Sequence, residues 1–374
     1  MVLSLWRWNC SSYVSDERDW SDLPPELLYL VSQKLTDIYD FVRFRAVCKR
    51  WRSFVRASDL APQLPWIIIY DRDDYNKGYR RFYSLLTGKT YTVNFPQSTE
   101  NKVARGSAYN YLFICNWGIG KSSLFNPFTN EEILLPAVEL GGVVICMPSV
   151  QLLPASDQSS SYVCMTKQIF AHFSLLYSCQ LGDPNWTSLQ PTGAKFQKSG
   201  FALCDGMCYA SDLETGGTKV INLATRTVDC VVPRPEPETS GVSVCLVVSS
   251  FGQILRVCHY LKHDNVIPFY FDIYRLELGN RDGNATDPCW IKIDNIDNQF
   301  LFVHEDHGCA FKADDFPGFI GNSIYFLRDK AVKETQINRY DMIDGNIEVR
   351  EVPINFGNSW FVPSLCKQSS NFRS

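Results

Sequence analysis

The sequence predicts a small all-α unit followed by a large all-β region, most simply a β-propeller of roughly five to seven four-stranded blades. Three observations support this fold class. Apolar residues between positions 20 and 57 recur at helical spacing. Beyond them, the chain consists of short β-like runs, mostly about four to eight residues long, separated by Gly, Asn, Asp and Pro. A strand-turn-strand pattern also repeats along this second region.

Two or three short helices are predicted in the first part of the chain. Pro24 and Pro25 suit a first helical turn, because the N–H that proline lacks would have no partner there. Thr36 and Asp37 are suitable caps for a second helix. Apolar residues cover two sides of this unit, and about forty residues are too few to bury both internally. The unit is therefore either a helical cap on the downstream domain or a docking surface for another molecule.

The repeat of the all-β region is a strand, a turn and a second strand that finishes near a proline. It occurs in four segments, which end at Pro96, Pro136, Pro233 and Pro353. The first interval is about one propeller blade of roughly 40–50 residues, and the second is about two blades. The third is either two blades with an insertion or two longer blades. Trp186 and Trp290 lie in similar contexts inside the two long gaps, where the missing units would fall. This spacing favours a propeller over a pair of β-sandwiches, which is the alternative fold.

The predicted organisation has five segments. They are a loosely ordered leader at 1–19, the helical unit at 20–57, a Pro-punctuated linker at 58–65, the propeller-like domain at 66–366 and a C-terminal tail at 367–374. Gln151–Ser161 is predicted to be a polar, mobile loop. The apolar run at the start of the chain is too short for a signal peptide, and no run reaches the length of a membrane-spanning helix.

Composition limits the class of partner. The net charge of −4 argues against nucleic acid, because phosphate binding needs a strong basic excess. Six basic residues and no acidic one lie between Phe41 and Ala57, which indicates either a solvated helix face or a contact for an acidic protein. The 14 cysteines are scattered without a CxxC pair, so a zinc site is not predicted. So many unpaired thiols indicate a reducing compartment, the cytoplasm or the nucleus.

Searches for catalytic or metal-binding patterns return only weak matches. Gly118–Ser123 mimics part of a phosphate-binding loop, but Cys115 stands where the motif needs Gly and a strand-like run follows. His304–Cys309 is the densest set of ligand-type residues, and a solvated polar turn is the commoner explanation for it. No nucleophile elbow is present. We therefore predict no catalytic residues, no metal site and no cofactor.

The first part of the chain closely resembles the F-box. LPPELL is followed, after a short gap, by RFRAVCKRWRSF, so that the Leu-Pro start, the Val-Cys pair and the Trp three residues later occur in order. In that family, three short helices dock onto a Skp-type adaptor, which bridges to a cullin scaffold and a ubiquitin-conjugating enzyme. The resemblance covers roughly residues 20–57. It implies adaptor contacts from Leu23, Pro24, Leu27, Leu28, Val47, Cys48 and Trp51, with Ile38 and Phe41 as further candidates.

The rest of the chain is similar to a plant F-box family whose C-terminal region is a kelch-like propeller of unassigned function. Four blocks match in order over roughly residues 65–363. Among the most specific are FPG-x-x-GNSIYF at Phe316–Phe326 and WFVPS at Trp360–Ser364. The resemblance implies a kelch-like β-propeller and carries no catalytic residues over to this chain.

Together the two resemblances imply a non-catalytic receptor subunit of a Skp-cullin-F-box (SCF-type) ubiquitin ligase. The F-box would dock the adaptor, and the propeller would bind a protein target through residues that the sequence does not identify. Neither nucleic acid nor a membrane is expected as a partner. Two alternatives remain open: a propeller enzyme or small-ligand binder with an incidental helical cap, and an F-box scaffold that does not promote degradation.

Overall fold

The computed structural model describes residues 20–69, 79–95, 102–108, 110–116, 120–137, 150–154, 161–170, 173–189, 195–236, 243–260, 270–279, 287–304, 308–329, 335–354 and 357–365. The chain divides into two compact units, Met1–Ala61 and Pro62–Ser374. The predicted leader (1–19) and tail (367–374) lie outside the described residues. No helix among those residues is long and apolar enough to cross a membrane.

The first unit is helical, as predicted. Its α-helices are α1 (Pro25–Ser32), α2 (Ile38–Ala46) and α3 (Lys49–Phe54), flanked by single 3-10 turns at Trp20–Asp22 and Ala57–Asp59. Pro24 is the N-cap of α1. Asp37 is the N-cap of α2, and its carboxylate accepts a hydrogen bond from the Tyr39 N–H at 2.8 Å. The second 3-10 turn includes Ser58, the first residue of the predicted linker. The linker therefore begins with an ordered turn.

The second unit contains 25 strands within the described residues. The first half comprises β1 (Trp66–Ile69), β2 (Tyr79–Ser84), β3 (Thr90–Asn94), β4 (Lys102–Ala108), β5 (Tyr111–Asn116), β6 (Ser122–Asn126), β7 (Glu131–Leu135), β8 (Val150–Leu153), β9 (Tyr162–Phe170), β10 (Phe173–Gln180), β11 (Thr187–Ser188), β12 (Phe196–Cys204) and β13 (Met207–Asp212). The second half comprises β14 (Thr218–Asn222), β15 (Val228–Val232), β16 (Ser243–Val248), β17 (Ile254–Tyr260), β18 (Tyr270–Glu277), β19 (Cys289–Ile293), β20 (Gln299–Val303), β21 (Gly308–Lys312), β22 (Ser323–Asp329), β23 (Thr335–Asp341), β24 (Ile347–Glu351) and β25 (Gly357–Phe361).

These strands form six propeller blades. Blade 1 has the order β25-β1-β2-β3, blade 2 is β4–β7, and blade 5 is β16–β19. Blades 3 (β8–β11) and 4 (β12–β15) appear as one eight-stranded sheet, because β10 and β12 share a single residue pair, Ser174 with Phe196. The inner strands of successive blades contact one another around the ring, from β25 through β4, β8, β12 and β16 to β21.

The blade count lies within the predicted range, and the predicted repeat marks the outermost strand of each blade. The segments ending near proline finish in β3, β7, β15 and β24, the outer strands of blades 1, 2, 4 and 6. Trp290 lies in β19 and Trp186 directly precedes β11, the outer strands of blades 5 and 3. The propeller prediction is confirmed, and the β-sandwich alternative is excluded.

Two details of the blades differ from the prediction. Blade 6 has five strands in the order β21-β20-β22-β23-β24, with β20 parallel to β22, instead of four antiparallel strands. The expected loop Gln151–Ser161 begins inside a strand, because Val150–Leu153 form β8 and pair with β9. The polar part of that loop, residues 155–160, lies outside the described residues.

A shared turn chemistry explains the sequence repeat. Each turn begins with a Ser, Asn or Asp whose side-chain oxygen accepts a hydrogen bond from a backbone N–H two or three residues later. The residues at this first position are Ser84, Asn126, Asp212, Asn222 and Asp341. The residue four positions on has a positive φ, as in Gly88, Asn130, Gly216, Arg226 and Gly345. Short polar side chains and left-handed residues stabilise such turns between strands.

The last strand closes the ring by joining the first blade. β25 pairs antiparallel with β1, and Ile67 lies opposite Trp360. Trp360 is fully buried in the core that blades 1 and 6 share. Its indole N–H donates to the Val303 carbonyl at 3.2 Å, and its ring centroid lies 4.9 Å from that of Phe302. The closing strand therefore connects the two ends of the propeller through both backbone pairing and side-chain packing.

Candidate functional site

The helical unit leaves an apolar stripe on the outer side of α1. Leu27, Leu30 and Val31 occupy positions i, i+3 and i+4, which lie on one helix face, and their side chains are 47%, 59% and 45% exposed. On the other side of α1, Leu28 and Ser32 are fully buried. A large apolar stripe left in water on so small a unit is typical of a surface that binds a partner.

The residues predicted as adaptor contacts divide into two groups in the structure. Exposed or half-buried members are Leu23, Pro24, Leu27, Val47 and Cys48. The others are buried and belong to the apolar core, namely Leu28, Ile38, Phe41 and Trp51. The second group contributes to packing in this structure and does not form accessible surface. Adaptor contact stays a prediction for the first group.

Trp51 holds several parts of the helical unit together. Its ring centroid lies 4.5 Å from that of Phe44 on α2, and its indole N–H donates to the Trp20 carbonyl at 3.1 Å. Its backbone N–H donates to the Cys48 Sγ at 3.4 Å, so the cysteine caps α3. Cys48 and Trp51 therefore help to form the joint between α2 and α3, whatever else they contact.

Two of the basic residues in this unit form ion pairs with its own carboxylates. Arg50 pairs with Asp22, and Arg43 lies 3.4 Å from Asp40. Both pairs are largely exposed, so each contributes little to stability.

The remaining basic residues leave positive charge around α3. Arg45 donates its Nε–H to the Val55 carbonyl at 2.8 Å, and burial, together with the nearby Arg52, lowers its pKa. Lys49 and Arg52 are exposed and have no ion pair with any residue that the structure describes. This unpaired charge favours an acidic partner over an apolar neighbour.

Sequence reasoning did not place Leu30, Val31 or Phe54 in the site, although all three are exposed. Leu30 and Val31 belong to the same helical spacing as Leu27, so the spacing alone could have included them. Val47, which the sequence did predict, is 58% exposed between α2 and α3.

The propeller shows no grouping of His, Cys, Asp and Glu that could hold a metal ion within the described residues. The predicted polar turn at His304–Cys309 falls partly outside them, at 305–307. In the phosphate-loop mimic, Ser122–Asn126 forms β6 and is followed by a turn. Burial raises the pKa of the Cys164 and Cys309 thiols and raises that of Cys179 to about 12, so these thiols stay protonated at neutral pH.

The two units together define an F-box protein with a C-terminal propeller. Residues 20–60 match the F-box-like family, and residues 82–347 match the KIB1-4 beta-propeller family. The chain belongs to the KIB1-4 beta-propeller family, and its organisation is that of an F-box substrate adaptor.

Curated relatives have the same two-part organisation in their names. The chain is 25% identical to the F-box/kelch-repeat protein At1g57790 of Arabidopsis thaliana, over 92% of this chain and 94% of that protein. It is also 25% identical to the putative F-box/kelch-repeat protein At5g24040 of Arabidopsis thaliana, over 82% of this chain and 86% of that protein. Among solved structures, the Swd1 β-propeller domain of Myceliophteria thermophila aligns with a TM-score of 0.40 and 12% identity, covering 77% of this chain and 86% of that chain.

Proposed function

We propose that this protein is the substrate-recognition subunit of an SCF-type ubiquitin ligase. The F-box unit binds a Skp-type adaptor and through it a cullin scaffold, and the propeller binds a target protein. The observation that carries the proposal is the exposed apolar stripe of α1 inside a segment that matches the F-box-like family. The cytoplasm and the nucleus, where such ligases meet their targets, are the proposed locations.

The energetics of the stripe suit a docking surface that needs additional contacts. Burying a fully exposed Leu or Val side chain contributes about 1.5–3 kcal/mol, and these side chains are already about half buried. Leu27, Leu30 and Val31 together then contribute about 3 kcal/mol, which is less than the roughly 4–15 kcal/mol that association costs. Val47, Phe54 and the unpaired charges of Lys49 and Arg52 supply further contacts beside them.

A receptor of this kind performs no bond chemistry itself. Holding a target beside a charged conjugating enzyme raises the local concentration of its lysine side chains, so that transfer of ubiquitin becomes effectively intramolecular. The propeller contributes a rigid platform, because its ring is closed by pairing between β25 and β1.

Adaptor binding is tested with purified full-length protein and a plant Skp-type adaptor. We expect Leu27→Asp to weaken binding by about tenfold or more, because it places a charge in the apolar contact. Since Leu27 is half exposed, the thermal unfolding of this variant should match that of the native protein. Isothermal titration calorimetry measures the affinity, and circular dichroism measures the unfolding.

Leu134→Asp is the matched control, because Leu134 is 76% exposed on β7 of the propeller. It should leave the affinity for the adaptor unchanged. Leu28→Asp is unsuitable, because it would bury a charge and unfold the helical unit. Equal adaptor binding by the native protein and Leu27→Asp, or no binding by either, would refute docking through this stripe.

A further inference from the structure

The propeller has an open pocket of about 180 Å³ beside blade 6, where this blade meets blade 1. Leu85, which directly follows β2, contributes from blade 1, and Phe319, Tyr325 and Ile337 contribute apolar surface from blade 6. Three charged side chains, Arg339, Glu348 and Arg350, complete the lining. The pocket therefore combines an apolar and aromatic interior with a charged wall formed by β23 and β24.

The wall of the pocket formed by Gly318, Phe319 and Ile320 begins with a turn that the sequence encodes. Pro317 and Gly318 are the central residues of a turn in which the Phe319 N–H donates to the Phe316 carbonyl at 3.0 Å. Gly318 has a φ of +96°, a conformation that non-glycine residues rarely adopt. Phe319 and Ile320 follow directly and line the pocket, and the Phe319 ring packs against that of Tyr325 with their centroids 5.4 Å apart.

A second glycine anchors the end of this wall. A Cβ atom at Gly321 would lie 2.8 Å from the Asn298 Oδ1 and 3.2 Å from the Asn298 Cα, so a larger residue would have to displace Asn298. The next residue, Asn322, accepts a hydrogen bond from the Ile296 N–H at 2.9 Å. A wall held at both ends forms a pocket that needs little rearrangement to receive a ligand.

The charged side of the pocket contains two arginines, of which one is paired within the protein. Arg339 forms ion pairs with Glu348 and Asp341, both at 3.0 Å. The Arg350 side chain has no hydrogen bond or ion pair with any residue in the described part of the chain. Burial raises the pKa of the Tyr325 phenol, which stays neutral. With both carboxylates beside Arg339, the Arg350 guanidinium is the cation left to pair with a carboxylate of a ligand.

Exposed apolar side chains continue beyond the pocket. Ile320 at its mouth is 52% exposed, and Ile343, in the turn between β23 and β24, is 83% exposed. The Met342 N–H of that turn donates to the Asn322 carbonyl at 3.2 Å, which ties the turn to the wall. Exposed apolar side chains on the lining and on this neighbouring turn favour an extended chain over a compact small molecule.

We propose that this pocket binds a linear segment of a protein target in which an apolar side chain is followed by a carboxylate. The apolar side chain packs on the surface formed by Leu85, Phe319 and Tyr325, and the carboxylate pairs with Arg350. This assigns a substrate class to the propeller and rests on its proposed function as the target-binding part.

The test uses fluorescein-labelled decapeptides with blocked ends and a Gly-Ser background. Each carries one central pair, Leu-Glu, Leu-Asp, Phe-Glu or Phe-Asp. In matched peptides, either the acidic residue is replaced by its amide, Gln for Glu and Asn for Asp, or the apolar residue is replaced by Ser. Fluorescence anisotropy measures their affinity for the full-length protein. We expect at least one apolar–acidic peptide to bind, and both matched replacements to weaken it.

Variants of the protein assign the binding to this pocket. Arg350→Gln should weaken the binding of the acidic peptide by about fivefold, as expected for an exposed ion pair, and Arg350→Glu by about tenfold or more. Arg350→Gln should leave the affinity for the amide peptide unchanged. The control is Arg234→Gln, which removes an exposed arginine after β15 in blade 4 and should change neither affinity.

The outcomes separate this proposal from adaptor docking. If no apolar–acidic peptide binds better than its amide partner, or if Arg350→Glu binds it like the native protein, the pocket proposal is wrong. Adaptor binding by the same protein samples would then still support the F-box role. Conversely, Leu27→Asp should bind the peptides normally, so a failure of adaptor docking would leave peptide binding intact.

Discussion

Asp212 illustrates how a carboxylate is accommodated between the strands of a blade. Its Oδ2 lies 2.6 Å from the Lys219 Nζ, and its Oδ1 accepts hydrogen bonds from the Glu214 and Thr215 N–H groups at 2.9 and 3.0 Å. Burial acts to raise its pKa, but the hydrogen bonds from Lys219 and the backbone outweigh burial. The net pKa of Asp212 is therefore lowered.

A lowered pKa makes the stability of the propeller depend on pH in one direction. The ionised Asp212 stabilises the fold above the pKa of the unfolded carboxyl, about 3.9, and this contribution is lost as the pH falls through the lower folded value. We expect Asp212→Asn to reduce the free energy of unfolding by about 1–3 kcal/mol at pH 7 and by less below pH 4. Urea unfolding at several pH values measures both.

Asp315→Asn is the control, because Asp315 is an exposed carboxylate after β21. It should change the unfolding free energy by less than about 0.5 kcal/mol at either pH. An Asp212→Asn variant whose loss of stability does not diminish in acid would contradict the assignment of this loss to the carboxylate.

Residue chemistry alone predicted where two of the helices of this unit begin. It did not predict which of two neighbouring leucines is buried. Pro24 and Asp37 could be placed at helix starts because capping depends only on local backbone groups. Leu27 and Leu28 could not be distinguished, because both are leucines one position apart. Which of the two faces inward depends on where α2 and α3 lie, and helical periodicity does not specify that.

At the scale of the element, the recurring turn is the feature that the sequence encodes most directly. In the turn between β14 and β15, the Asn222 side chain accepts hydrogen bonds from the Ala224 and Thr225 N–H groups at 3.0 and 3.1 Å. The backbone closes the same turn through the Arg226 N–H and the Asn222 carbonyl at 2.8 Å. Removing the side-chain acceptor leaves the backbone bond in place, so its effect can be measured separately.

We expect Asn222→Ala to reduce the unfolding free energy by about 1 kcal/mol, because two backbone N–H groups lose their acceptor. Asn222→Asp should restore the stability, since Asp212 and Asp341 fulfil the same role in their own turns. Chemical unfolding followed by tryptophan fluorescence measures both variants. Equal loss from Ala and Asp would show that the side-chain oxygen is not the stabilising group.

The strand order of blade 6 was beyond sequence reasoning for a physical reason. β20 and β22 are both short apolar strands, and alternation along a strand does not distinguish a parallel neighbour from an antiparallel one. Only the path of the chain through β21 and the Pro317–Gly318 turn places them side by side. The pocket beside Tyr325 depends on this arrangement and was therefore not predicted.

At the scale of the whole molecule, the ring depends on contacts between residues far apart in the chain. Trp66 pairs with Phe361, and Ile67 with Trp360. A range of five to seven blades could be predicted because each blade repeats a local pattern. The closing strand could not, because Trp360 lies in a short strand that resembles any other, and its partner is at the opposite end of the domain.

We expect Trp360→Ala to reduce the unfolding free energy of the propeller by about 3–5 kcal/mol, because it leaves a large cavity and removes the hydrogen bond to the Val303 carbonyl. Trp20→Ala, which truncates a side chain that is 69% exposed, should leave propeller unfolding unchanged within about 0.5 kcal/mol. Differential scanning calorimetry of the full-length proteins measures both. A mild effect of Trp360→Ala would show that closure does not depend on this side chain.

The pairing of β25 with β1 also determines when the first blade can be completed during synthesis. Strand β1 emerges from the ribosome early and can pair with β2 at once. Its neighbour on the other side, β25, is made only after all the other blades. Until then, one edge of the first sheet remains open to incorrect pairing with other chains. A prematurely terminated chain keeps that open edge permanently, which gives quality-control chaperones and proteases a simple structural mark of an incomplete product.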